Sequence, residues 1–185
     1  VVEWINKTFT FPLGTALHAR DADYLKTTSN GFASFTNGVF NGCIGAIDGI
    51  AIKIACPSAT EVPDPKNYYC RKGFYALNVQ AICDSKKRIS WVSTGHKGST
   101  HDSTAFFETR LHDVLKTDET MARWMTESGF FLIGDSAYTL YSFFLIPFDK
   151  TAAKPGSVQD AFNFWLSNSR IRVECAFGEI VMRWG

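Results

Sequence analysis

The sequence predicts an α/β domain, a mixed sheet covered by helices. Three observations carry that prediction. Between Ile50 and Thr94, apolar and polar residues alternate with period two in successive short runs. Phe130 to Ile133 is a wholly apolar run of strand length, which suits a strand buried on both faces. The stretches around and after that run carry apolar residues at helical spacing.

Residues 1–40 hold short apolar clusters without a sustained period, and Thr27-Thr28-Ser29-Asn30-Gly31 resembles a loop. This part is expected to be a lead-in segment from a missing N-terminal region. Ile50, Ile52 and Ile54 then alternate with Ala51, Lys53 and Ala55, a first strand whose region takes in Gly45 to Gly49. Pro57 to Pro65 reads as a loop. Leu77 to Asp84 and Arg88 to Thr94 are strands joined by the turn Asp84-Ser85-Lys86-Lys87, hence a hairpin. Gly95 to Thr100 is a loop. Phe106, Phe107, Leu111, Val114 and Leu115 share one helical face, with Asp102 or Ser103 placed to cap it. Thr117 to Ser128 forms a short helix. Two further helices follow the buried strand, Ser157 to Asn168 and Ser169 to Trp184. The first has a capping-box-like Asp160, and the second a stripe of Val173, Phe177, Ile180, Val181 and Trp184.

The 185 residues suffice for one cored domain, placed at 41–185 and expected to be truncated at its C-terminal end. A hydrophobic share of 45% and 16 Phe exclude a disordered chain. A net charge of +1 excludes binding of nucleic acid by bulk charge, though not by a local basic patch. No apolar run reaches the ~18 residues of a membrane span, so no membrane partner is expected. The five cysteines are odd in number and lack C-x2-C spacing, which argues for free thiols in a reducing compartment. Asn6-Lys7-Thr8 is a lone glycosylation triplet of little weight. The chain starts at Val1 and ends at Gly185 inside a helical pattern, as a piece of a longer protein would.

Three acids stand where an unpartnered carboxylate is costly. Asp48, followed by Gly49, fits a hairpin turn and fits equally a strand with a glycine at a close approach. Asp135 follows the buried strand, where α/β folds commonly place ligands, and also fits a helix cap. Glu174 lies beside the apolar stripe of the last helix and also fits a surface pair with Arg170. Together, acids from different elements suit Mg²⁺ or Mn²⁺. Two such ions, about 3.5–4 Å apart, suit cleavage of a phosphodiester.

Several blocks resemble, in order, the catalytic domain of PIF/Harbinger transposases and Harbinger-derived nucleases. They are Gly45-Ala46-Ile47-Asp48-Gly49, Arg71-Lys72-Gly73-Phe74-Tyr75 and Leu77-Asn78-Val79-Gln80 with Cys83-Asp84. Gly98-Ser99-Thr100-His101-Asp102-Ser103, Gly134-Asp135-Ser136-Ala137-Tyr138, Phe162-Asn163 and Arg170 to Gly178 complete the set. The departures are Lys97 where the family usually has Pro, Cys70 where Asn is common, and Val181 where a Lys is usual. The resemblance implies a ribonuclease-H-like fold and a DDE endonuclease acting on DNA in the nucleus. It also implies a pair of divalent cations held by the triad Asp48, Asp135 and Glu174, and a separate DNA-binding partner protein.

His101 and Asp102 are read first as a loop residue and a helix cap, with support of the metal ligands as the functional alternative. Arg71, Lys72, Lys97, Arg170 and Arg172 are candidate phosphate contacts. Tyr68, Tyr69, Phe74 and Tyr75, interleaved with them, suit either base stacking or core packing. His18, His96 and His112 are read as surface residues. Two other functions fit the sequence: a domesticated, catalytically silent module that binds DNA or protein, and a hydrolase of small phosphate esters.

Overall fold

A computed structural model describes residues 11–184; Asn6-Lys7-Thr8 lies outside them. The described residues open with α1 (Pro12–Ala19), whose proline sits in the first turn, where its missing N–H costs nothing. α2 (Ala22–Phe35) is capped by Asp21, whose carboxylate accepts the Tyr24 N–H at 3.0 Å. β1 (Cys43–Lys53) follows, then a 3₁₀ turn at Pro65–Tyr68, and the hairpin of β2 (Ala76–Cys83) and β3 (Ile89–Lys97). Three short helices come next: α3 (Asp102–Phe107), α4 (Arg110–Thr117) and α5 (Glu119–Glu127). β4 (Phe131–Ile133), β5 (Phe144–Leu145) and the long α6 (Val158–Trp184) complete the domain.

The sheet order is β3-β2-β1-β4-β5. β1 pairs antiparallel with β2 and parallel with β4, so the sheet is mixed. The predicted α/β class holds, and the flanking helices give the arrangement of a ribonuclease-H-like fold. Alternation assigns the two faces. Ile44, Ile47, Ile82 and Leu132 pack with α1, Leu25 of α2, α4 and α5. Ala46, Ala81, Cys83 and Ile133 pack with Phe32, Phe40 and the Leu166, Val173, Ala176 and Phe177 stripe of α6. The hairpin turn is held by buried Asp84, which accepts the Lys86 and Arg88 N–H groups at 2.8 and 2.9 Å. Lys87 there adopts a left-handed φ of 65°.

Several expectations are corrected. The helix expected across Phe106 to Leu115 is two helices, because Thr109 stops the first and caps the second: its hydroxyl accepts the His112 N–H at 3.2 Å. Phe107 is accordingly exposed rather than on the buried face. The two helices expected after Ser157 are one, since no Gly or Pro stands at their junction and Ser169 bonds back to Trp165 within the helix. Only Val173 and Phe177 of the expected stripe are buried; Ile180, Val181 and Trp184 are exposed. Capping at Ser157 holds, its hydroxyl accepting the Asp160 N–H at 3.1 Å. His112 is buried against Phe106, with Nε2 3.2 Å from the Tyr141 hydroxyl, and not at the surface. The described part of residues 1–40 contributes α1 and α2 to the core. Among the described residues no helix is long and apolar enough to cross a membrane.

Candidate active site

β1 continues through Asp48 and Gly49, which pair with Ala81 and Gln80 of β2. The Asp-Gly pair is therefore strand, not turn. Asp48 lies two residues beyond Ala46 and so shares the face covered by α6. In the parallel β1–β4 pair, Ala46 stands opposite Ile133. Asp135, two residues beyond Ile133, therefore leaves the neighbouring strand at the same level as Asp48. Gly134 between them is dictated by packing: a Cβ there would lie 2.8 Å from the rings of Phe144 and Tyr138.

α6 brings the third acid. Val173 and Phe177 anchor one stripe against the sheet, and residues three and four apart on a helix are neighbours. Arg170 and Glu174 flank that stripe over Asp48. The Arg170 guanidinium donates to Asp48 Oδ2 at 3.3 Å, and the same nitrogen lies 3.6 Å from Glu174 Oε1. The two acidic oxygens are thus within about 7 Å of each other, the most that 3.3 and 3.6 Å laid end to end allow. The expected Arg170–Glu174 pair exists, but it also takes in Asp48.

Burial pushes the Asp48 carboxyl up to about 6, against the pull of Arg170 and of the Gly49 N–H, while Asp135 and Asp102 push it higher. Asp135 accepts the Ala137 N–H at 2.8 Å. The site is a crowd of acids with one nearby guanidinium. Among the described residues no three metal-binding side chains stand at ligating geometry. The donor set nevertheless fits a hard cation: its groups are all carboxylates, and burial, with Asp135 and Asp102 nearby, raises Asp48 even against the pull of Arg170.

Asp102 does not cap α3, whose N-cap position His101 makes no side-chain capping bond. Its Oδ1 instead accepts from Asn78 Nδ2 at 2.9 Å and Gln80 Nε2 at 3.0 Å. Gln80 also donates to Asn78 Oδ1 at 2.7 Å and accepts the Tyr138 hydroxyl at 2.6 Å. This network lies on the sheet face opposite Asp48, seated where Gly49 has no side chain. Tyr138, Asn78 and Gln80 stand in the blocks that carry the family resemblance, but the sequence assigns them no role. The period-two pattern Asn78-x-Gln80 in an otherwise apolar strand is the signal that marks two of them, since buried amides need partners.

The basic candidates do not gather. Only Arg170 touches the acids. The Arg172 guanidinium lies over the Phe35 ring at 4.4 Å, while Arg71, Lys72 and Lys97 are exposed and make no ion pair among the described residues. Tyr69 is exposed with its ring edge against Tyr75. His101 and Lys97 line an open cavity of about 370 Å³ with His96 and Glu108, whose side chains pair at 3.4 Å.

A family model described as DDE superfamily endonuclease matches residues 47–185, well over half of the chain. The chain belongs to that family. Asp48, Asp135 and Glu174 all fall inside the matched region of this DDE endonuclease domain. No curated protein and no solved structure matches it.

Proposed function

We propose that this DDE endonuclease domain is of the PIF/Harbinger type and cuts DNA with Asp48, Asp135 and Glu174 holding a pair of Mg²⁺ or Mn²⁺ ions. The observation that carries this reading is that Asp48, within β1, and Asp135, just past the adjacent parallel β4, lie at the same level, with Glu174 reaching the same guanidinium as Asp48. Divalent cations at such a site activate water or a DNA 3′-hydroxyl and neutralise charge on the leaving 3′-oxygen. The chain's own part is to converge the carboxylates and hold them still. β1 and β4 fix the two aspartates, and α6 carries Glu174 across. The network of Tyr138, Gln80, Asn78 and Asp102 stiffens the sheet directly behind Asp48, with His101 at its rim. Arg71, Lys72 and Lys97 serve as outer phosphate contacts, and Arg172 keeps α6 seated on Phe35. A separate DNA-binding partner supplies the affinity that a near-neutral domain lacks, and the work is done in the nucleus.

Nicking of supercoiled plasmid in Mg²⁺ or Mn²⁺ tests the reading. Asp48→Asn and Asp135→Asn each lower the rate by at least about a hundredfold with the fold retained. Full activity in either removes it from the triad. A silent binding module is the second reading, favoured by the guanidinium already seated on two of the acids. It takes over if Mn²⁺ neither supports cleavage nor raises the melting temperature.

A further inference from the structure

Arg170 is built into the acidic centre more deeply than a surface phosphate contact would be. Its side chain is only 15% exposed, and one terminal nitrogen is shared by acids from two different elements, Asp48 on β1 and Glu174 on α6. Its Nε is buried and meets no hydrogen-bond acceptor. Among the described residues the guanidinium is held by the two carboxylates and meets no neutral acceptor. A cation shared by those carboxylates must take its oxygens from the ground that the guanidinium occupies. Two cations a few ångströms apart in a partly buried site repel strongly, so the two occupants exclude each other.

We propose that Arg170 is the resident counter-ion of the acidic centre and that a divalent cation binds by displacing it. This rests on the reading of Asp48 and Glu174 as metal ligands and adds a competitor to it. Without metal, Arg170 keeps a buried carboxylate paired and the site shut to weakly binding cations. With metal, the guanidinium is released at the mouth of the site, where its forked donors match a phosphate. Arg170 is thus a positioning residue with two alternate partners.

The test is Mn²⁺ binding to the 185-residue chain without DNA, read from the signal of free Mn²⁺ in electron paramagnetic resonance. Arg170→Gln binds Mn²⁺ at least about tenfold more tightly than wild type, because the competing charge is gone. Arg170→Lys keeps a charge and stays near the wild-type affinity. Arg170→Met, which retains an apolar stem in the helix packing, repeats the Gln result and guards against a fold lost through the polar substitution. Circular dichroism confirms the fold of each variant. Unchanged or weaker binding in folded Arg170→Gln and Arg170→Met overturns the proposal. Asp48→Asn separates this failure from that of the underlying reading. If Asp48→Asn abolishes binding while the Arg170 variants leave it unchanged, the ligand assignment stands and the competition fails. If Asp48→Asn leaves binding intact, the ligand assignment fails and the competition with it.

Discussion

Asp48 is destabilising where it stands. Burial raises its carboxyl to about 6 from an ordinary 3.8, so the folded chain holds a proton there that the unfolded chain has already released. Between those values stability falls as pH rises, and above about 6 the full cost is present. Asp48→Asn therefore stabilises the metal-free domain at pH 7.5 by about 1–3 kcal/mol, lowered somewhat by the partner Arg170 loses. The gain fades as pH falls from 6 towards 4. Urea denaturation across that range checks it, and a gain independent of pH would place the cause elsewhere. Gly49 shows a second constraint on the same strand. A Cβ there collides with Asp102 Oδ1 and comes within 2.6 Å of Gln80 Nε2, both fixed by hydrogen bonds. Gly49→Ala should cost about 1–3 kcal/mol, visible as a lower melting temperature. Asp48 and Asp135 stand out in the sequence as carboxylates among apolar neighbours, and the sheet register brings them to one level. The need for Gly49 is not legible in the sequence, since it depends on which strand and which loop close over it.

Strands declared themselves more clearly than helices. β1 and β2 show themselves as apolar runs of strand length, although burial along β1 falls from Cys43 towards Lys53 rather than alternating, whereas β5 has two residues and no period to show. Helix limits depended on single side chains: Thr109 divides one expected helix, and the uninterrupted run at Ser169 joins two. The division at Thr109 has a consequence for α4. It turns His112 inward against Phe106 and Phe107, where burial, with Lys116, lowers its pKa below the ordinary 6.5. The unfolded chain then binds a proton that the folded chain refuses. Stability from this residue is complete above about 6.5 and lost as pH falls below it, opposite in sign to Asp48. His112→Gln keeps a polar partner for Tyr141 without the titration. The stability difference between wild type and this variant should shrink as pH drops from 7.5 to 5.5; a constant difference would mean that His112 stays neutral in both states.

At the scale of the molecule, the family match begins at residue 47, yet the core begins much earlier. Leu13, Leu17 and Leu25 fill the cluster on one face of the sheet, and Phe32 and Phe40 the cluster on the other. All five are 0–1% exposed. The period of α2 is hard to see in the sequence because its inner face is diluted by Thr28 and Ser29. Both are buried and satisfied locally, Thr28 on the Tyr24 carbonyl and Ser29 by accepting the Gly42 N–H at 2.6 Å. A polar residue with its partner in place packs as well as an apolar one but breaks the pattern that a reader looks for. Burial of each of the five apolar side chains is worth about 1.5–3 kcal/mol, so together they match the ~5–15 kcal/mol by which whole domains are stable. Deleting residues 1–40 while keeping Asp48, Asp135, Glu174 and the whole family-matched region should therefore yield a chain without cooperative unfolding. Thermal melts followed by circular dichroism check this. A 41–185 fragment melting within a few degrees of the full chain would show that α1 and α2 merely decorate the catalytic domain, and that the sheet and α6 hold the acids unaided.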